Sequence, residues 1–434
     1  SGPTMKPRDR DMILQALSAG VVPRAGLRHI QVGRASEVGA LVRDIDRIAD
    51  GGAAVRFVIG EYGAGKTFFL NLVRLIALEK KCVTMHADLA PDRRIHASAG
   101  QARGLYAEAV RNMATRTRPE GGALASVVER FVTDCVQAAS TQGVGVETII
   151  DGRLASLQEH IGGYDFAAVL KAYWRGSEDG DEGLKAAALR WLRGEYSTRT
   201  EARQALSVRT IIDDANVYDA TKLLAAFVKL AGYSGLLVVF DEMVNLYKLQ
   251  SSQARSANYE EILRIVNDTL QGNVSGLGFA FGGTPEFLMD PRRGLYSYPA
   301  LESRLAENAF ATRGLVDLSG PVLRLQSLTP EELLVLLHNL RDVFASGDPA
   351  AHLVPDDALP AFMEHCNRRI GEAYFKTPRN TIKAFVQLLA VLEQNPGVSW
   401  QDLLGGVEIA NDAGDVSDDM TDGEGDEDLA TFRL

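Results

Sequence analysis

The chain of 434 residues has no uninterrupted run of about 18 apolar residues, the length a membrane-spanning helix requires, so none of it is expected to cross a bilayer. Its three cysteines, Cys82, Cys135 and Cys366, are widely spaced and odd in number, which argues against a disulfide framework and for a reducing, cytoplasmic setting. The seven histidines show no H-x-x-x-H spacing, and no C-x-x-C pair is present. Cys82 and His86 stand four apart, but in a predicted strand, which argues against zinc. The first residues have no signal-peptide pattern; Ser1 to Thr4 read as a cloning remnant ahead of a native Met5.

What is present is an ordinary globular composition, 46% apolar and 24% charged, long enough for two or three domains. The net charge of −11 is unevenly spread. Nine acids and no basic residue lie between positions 411 and 428, and without them the body holds 46 basic against 48 acidic residues. Such a Gly- and Asp-rich tail is expected to be disordered, serving solubility or competing with nucleic acid for a basic surface.

The strongest pattern is Gly60-Glu61-Tyr62-Gly63-Ala64-Gly65-Lys66-Thr67, between the apolar run 55–59 and an amphipathic stretch from Phe68 to Leu78. Strand, glycine-rich loop and helix is the context a phosphate loop requires. The loop N–H groups and the helix N-terminus would surround a triphosphate; Lys66 would reach the β- and γ-phosphates and the Thr67 hydroxyl would ligate Mg²⁺. Gly60, Tyr62, Gly63, Ala64, Gly65, Lys66, Thr67 and Phe68 are therefore the candidate ATP-binding residues.

A second signal is the apolar run 235–240 ending in Asp241-Glu242, a buried parallel strand with carboxylates at the edge where α/β sheets place ligands. Asp241 would hold the metal and Glu242 would polarise the attacking water. A further buried strand, 277–286, carries Thr284 as a polar strand-end residue able to orient that water. Cys82 to Asp88 read as another strand and 101–114 as a helix. Between Asp88 and Gly235 the chain is about 100 residues longer than an α/β core needs, with apolar residues at helical spacing and breaks at Gly162-Gly163 and 176–182. This insertion interleaves Lys171, Arg175, Lys185, Arg190 and Arg193 with Trp174, Trp191 and Tyr196. The mixture reads either as a nucleic-acid surface or as solvated helix faces over a core. Arg304, after Tyr298-Pro299, is expected exposed at a helical turn, with Arg292, Arg293 and Arg313 as rivals. From Thr329-Pro330-Glu331-Glu332, a capping box, the pattern is helical, with helices over 330–340, 356–373 and from Thr377-Pro378-Arg379 onward.

Together these motifs resemble AAA+ ATPases of the origin-recognition/Cdc6 type. Closer is the resemblance to the ATP-binding proteins of bacterial BREX phage-exclusion systems, the BrxC/BrxD type. It is carried by residues 59–67, Gly-Gln-Ala-Arg-Gly-Leu-Tyr (100–106), Val-Phe-Asp-Glu (239–242), Asn-Tyr-Glu-Glu-Ile-Leu (258–263), Gly-Gly-Thr-Pro-Glu-Phe (282–287) and Thr-Pro-Arg (377–379), and spans about residues 12–405. It implies an α/β AAA+ core at 29–115 and 216–325, an N-terminal segment at 1–28, a helical insertion at 116–215, a helical lid at 326–408 and the acidic tail at 409–434. It further implies that Val32 and Gly33 of the string Val-Gly-Arg-x-x-Glu hold the adenine, that Arg379 touches the γ-phosphate from the lid, and that Arg304 reaches a neighbouring subunit's site. The expected cofactors are ATP and Mg²⁺. The expected partners are a second copy of the chain and defence-operon proteins such as a helicase or methyltransferase, with DNA contact open because no winged-helix domain follows the lid. Two functions fit: an oligomeric ATPase that remodels or loads a partner on DNA, or a nucleotide-gated switch that recruits an effector without touching DNA. A small-molecule kinase shares the loop but lacks an evident acceptor site.

Overall fold

Five short segments rich in Val, Leu, Ile, Phe and Ala pair into one sheet: β1 (Ala53–Ile59), β2 (Val83–Asp88), β3 (Leu236–Asp241), β4 (Leu277–Gly283) and β5 (Val322–Arg324), in the order β2-β3-β4-β1-β5. The computed structural model describes residues 5–18, 34–62, 65–311 and 315–405. β3 is parallel to both neighbours, with Asp88 of β2 in register with Asp241 and Phe240 in register with Phe281 of β4. Every residue of β3 and β4 is buried, which is why these strands read as unbroken apolar runs and not as alternating ones. Phe57, Phe240, Phe279 and Phe281 form a ring cluster on this sheet, the Phe57 and Phe281 centroids lying 5.1 Å apart.

The chain divides into two compact units. One comprises Ala40–Phe57 and Val73–Val322; the other comprises the described residues of Ser1–Gly39, Val58–Leu72 and Leu323–Asp422. In the larger unit the stretch between β2 and β3 is helical: Gln101–Arg111, Leu124–Gln142, Val146–Leu154, Gly163–Asp179, Glu182–Leu192, Arg199–Leu206 and Val217–Leu230. The helix expected over 101–114 stops at Arg111, because Ala114 pairs its N–H and C=O with Thr84 at the sheet edge. The break at Gly162-Gly163 is a close approach of backbone. A Cβ on Gly163 would sit 1.8 Å from the Leu157 carbonyl oxygen, which as main chain cannot swing away. Gly163→Ala is therefore expected to destabilise the protein by about 1–3 kcal/mol, the usual cost of overpacking, read as a lower urea midpoint.

Trp191 and Tyr196, which on sequence offered stacking surfaces, are core residues only 2% exposed. The Trp191 indole N–H donates to the Thr210 carbonyl at 2.8 Å, and the Trp174 Nε1 is buried as well. The basic side chains around them pair locally: Arg190 with Glu201 at 2.7 Å, Arg175 with Glu147 at 3.1 Å, Lys171 with Asp151 at 3.0 Å. The rings of Trp191 and Tyr196 are thus core residues and offer no stacking surface.

The smaller unit holds the helices Pro7–Ser18, Pro330–Phe344, Ala358–Ile370 and Arg379–Gln394. The capping box forms as read: the Thr329 hydroxyl accepts from the Glu332 N–H at 3.2 Å, and the Glu332 carboxylate accepts from the Thr329 N–H at 3.1 Å. Phe362 and Phe385 meet at 5.2 Å between centroids in its core, and Arg10 of the first helix donates to the Phe344 carbonyl and the Glu393 carboxylate. No described helix is long and apolar enough to cross a membrane. The acidic tail, Arg313, Val32, Gly33, Gly63 and Ala64 lie outside the described residues.

Candidate functional site

β1 ends at Ile59, Gly60 is buried, and the helix Lys66–Glu79 begins six residues later. The helix starts at Lys66, two residues before the expected start, so Lys66 and Thr67 both lie in its first turn, where backbone N–H groups have no intrahelical partner. Gly65 has φ +87°, a left-handed conformation that costs a side chain but not glycine. Its carbonyl accepts from the Phe69 N–H at 3.0 Å and from Arg34 Nη1 at 3.2 Å. Arg34 also donates through Nη2 to the Gln326 carbonyl at 3.1 Å. Burial pushes this guanidinium below its ordinary value, while Glu37 and Glu332 pull it upward. Sequence reasoning assigned the Val32 and Gly33 backbone of this string and overlooked Arg34, although an arginine in a Val-Gly-Arg turn was the available signal.

Arg379 is the first residue of the helix Arg379–Gln394. Its Nη1 donates to the Tyr62 hydroxyl at 2.9 Å and its guanidinium carbon lies 5.0 Å from the centre of the Tyr62 ring. The structure thus brings two loop positions, Tyr62 and Gly65, against two arginines that are 345 residues apart in sequence.

In the larger unit, Asp241 closes β3 and is only 4% exposed. Its Oδ1 accepts from the Glu242 N–H at 2.8 Å, and its carbonyl accepts from the Leu89 N–H at 2.9 Å. Glu242 has φ +59°, a region a glutamate enters only when its surroundings hold it there. They do. The Met243 N–H donates to the Gly282 carbonyl at the end of β4, and the Asn245 side-chain amide donates to the carbonyls of Leu89 at 2.9 Å and Glu242 at 3.1 Å. Asn245 was not singled out from sequence; an amide three residues beyond the paired carboxylates was its only trace.

β4 stops at Gly283, shorter than the expected 277–286, because Thr284 caps the helix Pro285–Met289 by accepting the Phe287 N–H at 3.4 Å. Thr284 is 9% exposed, and the sheet order sets its strand between β1 and β3. Arg304 is exposed on the helix Pro299–Leu305 and donates through Nε to Asn267 at 3.1 Å. Of its rivals, Arg293 is held within its own chain, donating to the Leu249 carbonyl at 2.8 Å and lying 5.5 Å from the Tyr247 ring centre.

The string 258–263 has a structural role. Fully buried Asn258 receives the His96 N–H and donates to the carbonyls of His96 and Ala254, fixing the loop ahead of the helix Gln101–Arg111. The string 100–106 is clamped in turn by Asp214, which accepts the N–H groups of Gly100, Ala102 and Arg103 at 2.8–3.1 Å.

A parallel sheet with helices between its strands, a glycine-rich sequence between β1 and the helix Lys66–Glu79, and paired carboxylates at the end of buried β3 fit a phosphate-loop type of α/β core. The chain belongs to the family of BREX system ATP-binding proteins BrxC/D, whose model matches residues 5–408. No curated protein matches it. The family is one of ATP-binding components of BREX defence systems, so other proteins of such a system are its natural companions.

Proposed function

We propose that this protein is an AAA+-type ATPase of a BREX defence system, hydrolysing ATP as part of an oligomer that acts on a partner protein at DNA. The observation that supports hydrolysis, beyond binding, is the backbone of Glu242: a glutamate kept at φ +59° by anchors from Leu89, Gly282 and Asn245. Such a conformation costs of order 1–3 kcal/mol and persists where the geometry is used. Glu242 accepts the proton of the attacking water, Lys66 binds the β- and γ-phosphates, Thr284 orients the water, and Arg379 reads the γ-phosphate. Thr67 and Asp241 suit Mg²⁺, which favours one or two protein ligands completed by phosphates and water and would neutralise phosphate charge there. Among the described residues no group of three or more His, Cys, Asp or Glu is placed to hold a metal by itself, so the nucleotide's oxygens would be needed. Arg304, exposed, is the residue proposed to reach a neighbouring copy's site.

The test is Glu242→Gln, which keeps shape and removes the base. ATP binding is expected to be retained and turnover to fall by about 100-fold or more, the usual share of a general base. Mass measurement of this variant with ATP is expected to show self-association, and turnover of the unaltered protein is expected to rise on adding duplex DNA. Unchanged turnover in Glu242→Gln would remove Glu242 from the reaction. A rise only with a partner from the same system would favour the switch without DNA contact.

A further inference from the structure

Tyr62 and Arg379 belong to the same compact unit and meet across 317 positions of sequence. The arginine is aimed by its helix, which buries Thr381, Phe385, Val386 and Leu389 and so fixes the direction of its first turn. A cation in the first turn of a helix stands at the positive end of the dipole, and that turn contains no acidic residue. The partner it meets is a neutral phenol, through one hydrogen bond and the ring face, while Tyr62 itself stays 37% exposed. A phosphoryl oxygen makes charge-assisted bonds to a guanidinium about twice as strong as a neutral acceptor does. Arg379 would therefore direct its other donors at a terminal phosphate while Nη1 stays on the phenol, and the ring keeps a side chain with much rotamer freedom beside the loop before and after the nucleotide arrives. Ordering it in advance lowers the cost of the later contact.

We propose that Tyr62 is a positioning residue: it holds Arg379 beside the phosphate loop and thereby sets the preference of the site for a nucleoside triphosphate over a diphosphate. This rests on the ATP-binding reading above, in which Arg379 meets the γ-phosphate. Tyr62 acts through Arg379 and makes no bond to the reacting atoms. The consequence is that its removal is felt by ATP and not by ADP, which has no γ-phosphate for Arg379 to reach.

The test is a double-mutant cycle on nucleotide affinity, measured by calorimetry with ATP and with ADP in the full chain. Tyr62→Ala is expected to weaken ATP by about fivefold, the scale of ordering one rotamer-rich side chain at the moment of binding, with ADP changing less than about twofold. Tyr62→Phe keeps the ring face and is expected to weaken ATP only about threefold. In an Arg379→Ala background, Tyr62→Ala is expected to change ATP affinity by less than about twofold, since the pair is already broken. Equal losses for ATP and ADP, or losses that multiply in the double variant, overturn the proposal. If the unaltered protein and Lys66→Ala bind neither nucleotide, the ATP-binding reading itself fails, and this one with it. Melting of the nucleotide-free variants separates misfolding from lost selectivity, and the Phe variant carries the test if Ala does not fold.

Discussion

Lys66→Ala is expected to lower ATP affinity by about two orders of magnitude, on the order of 3 kcal/mol, while leaving the nucleotide-free protein folded. Lys66 opens the helix that follows the loop, and its ammonium is proposed to make charge-assisted bonds to the β- and γ-phosphates. Alanine removes those bonds but keeps the helix start, since it is the best helix former. Calorimetric titration with ATP reads the loss directly, and the melting temperature without nucleotide should move by no more than about 2 °C. Affinity equal to that of the unaltered protein would take Lys66 out of phosphate binding. A large drop in melting temperature would mean that the lysine serves the fold.

The largest expected effect on stability lies elsewhere, in the ion pair between Arg56 of β1 and Asp44 of the helix Ala35–Ala49. Arg56 is 6% exposed and Asp44 3%. The Arg56 Nε and Nη2 donate to the two Asp44 oxygens at 2.6 and 3.2 Å, and Nη1 donates to the carbonyls of Leu318 and Gly320, each at 2.6 Å. A bidentate carboxylate and two carbonyls satisfy a guanidinium that water cannot reach. Asp44→Ala leaves that charge buried without its counter-ion and is expected to cost about 3–5 kcal/mol, lowering the denaturant midpoint. Replacing both partners by apolar residues of similar volume should restore most of the loss, because the cost comes from the stranded charge and not from missing attraction. If Asp44→Ala and the double variant unfold at the same midpoint, the pair has no such role.

Arg56 shows where reading a sequence stops. It stands inside a run that reads as an apolar strand, Val55-Arg56-Phe57-Val58-Ile59, and periodicity gives no reason for a charge there. The reason is the helix Ala35–Ala49, which brings Asp44 across, and the chain entering β5, which brings two carbonyls. The aromatic residues of the insertion are the converse case. Trp191 and Tyr196 next to arginines look the same in sequence whether the rings face solvent or core, and only packing shows them buried.

Features that depend on local chemistry are legible in the chain alone. The buried strands β3 and β4 followed from unbroken apolar runs, and the start of the helix Pro330–Phe344 followed from a capping box closed within four residues. The glycine-rich loop ahead of Lys66 and Thr67 was legible for the same reason: a motif with its strand and helix is complete within about 25 residues. Family membership rests on strings of this kind and needs no coordinates. What distant residues do to one another came from the folded arrangement. It put Arg379 on Tyr62, Arg34 on the Gly65 carbonyl, and Asn245 under a glutamate turned to φ +59°. Each is a contact whose energy depends on where a strand end or helix turn lies in space, a distance that spacing along the chain does not encode.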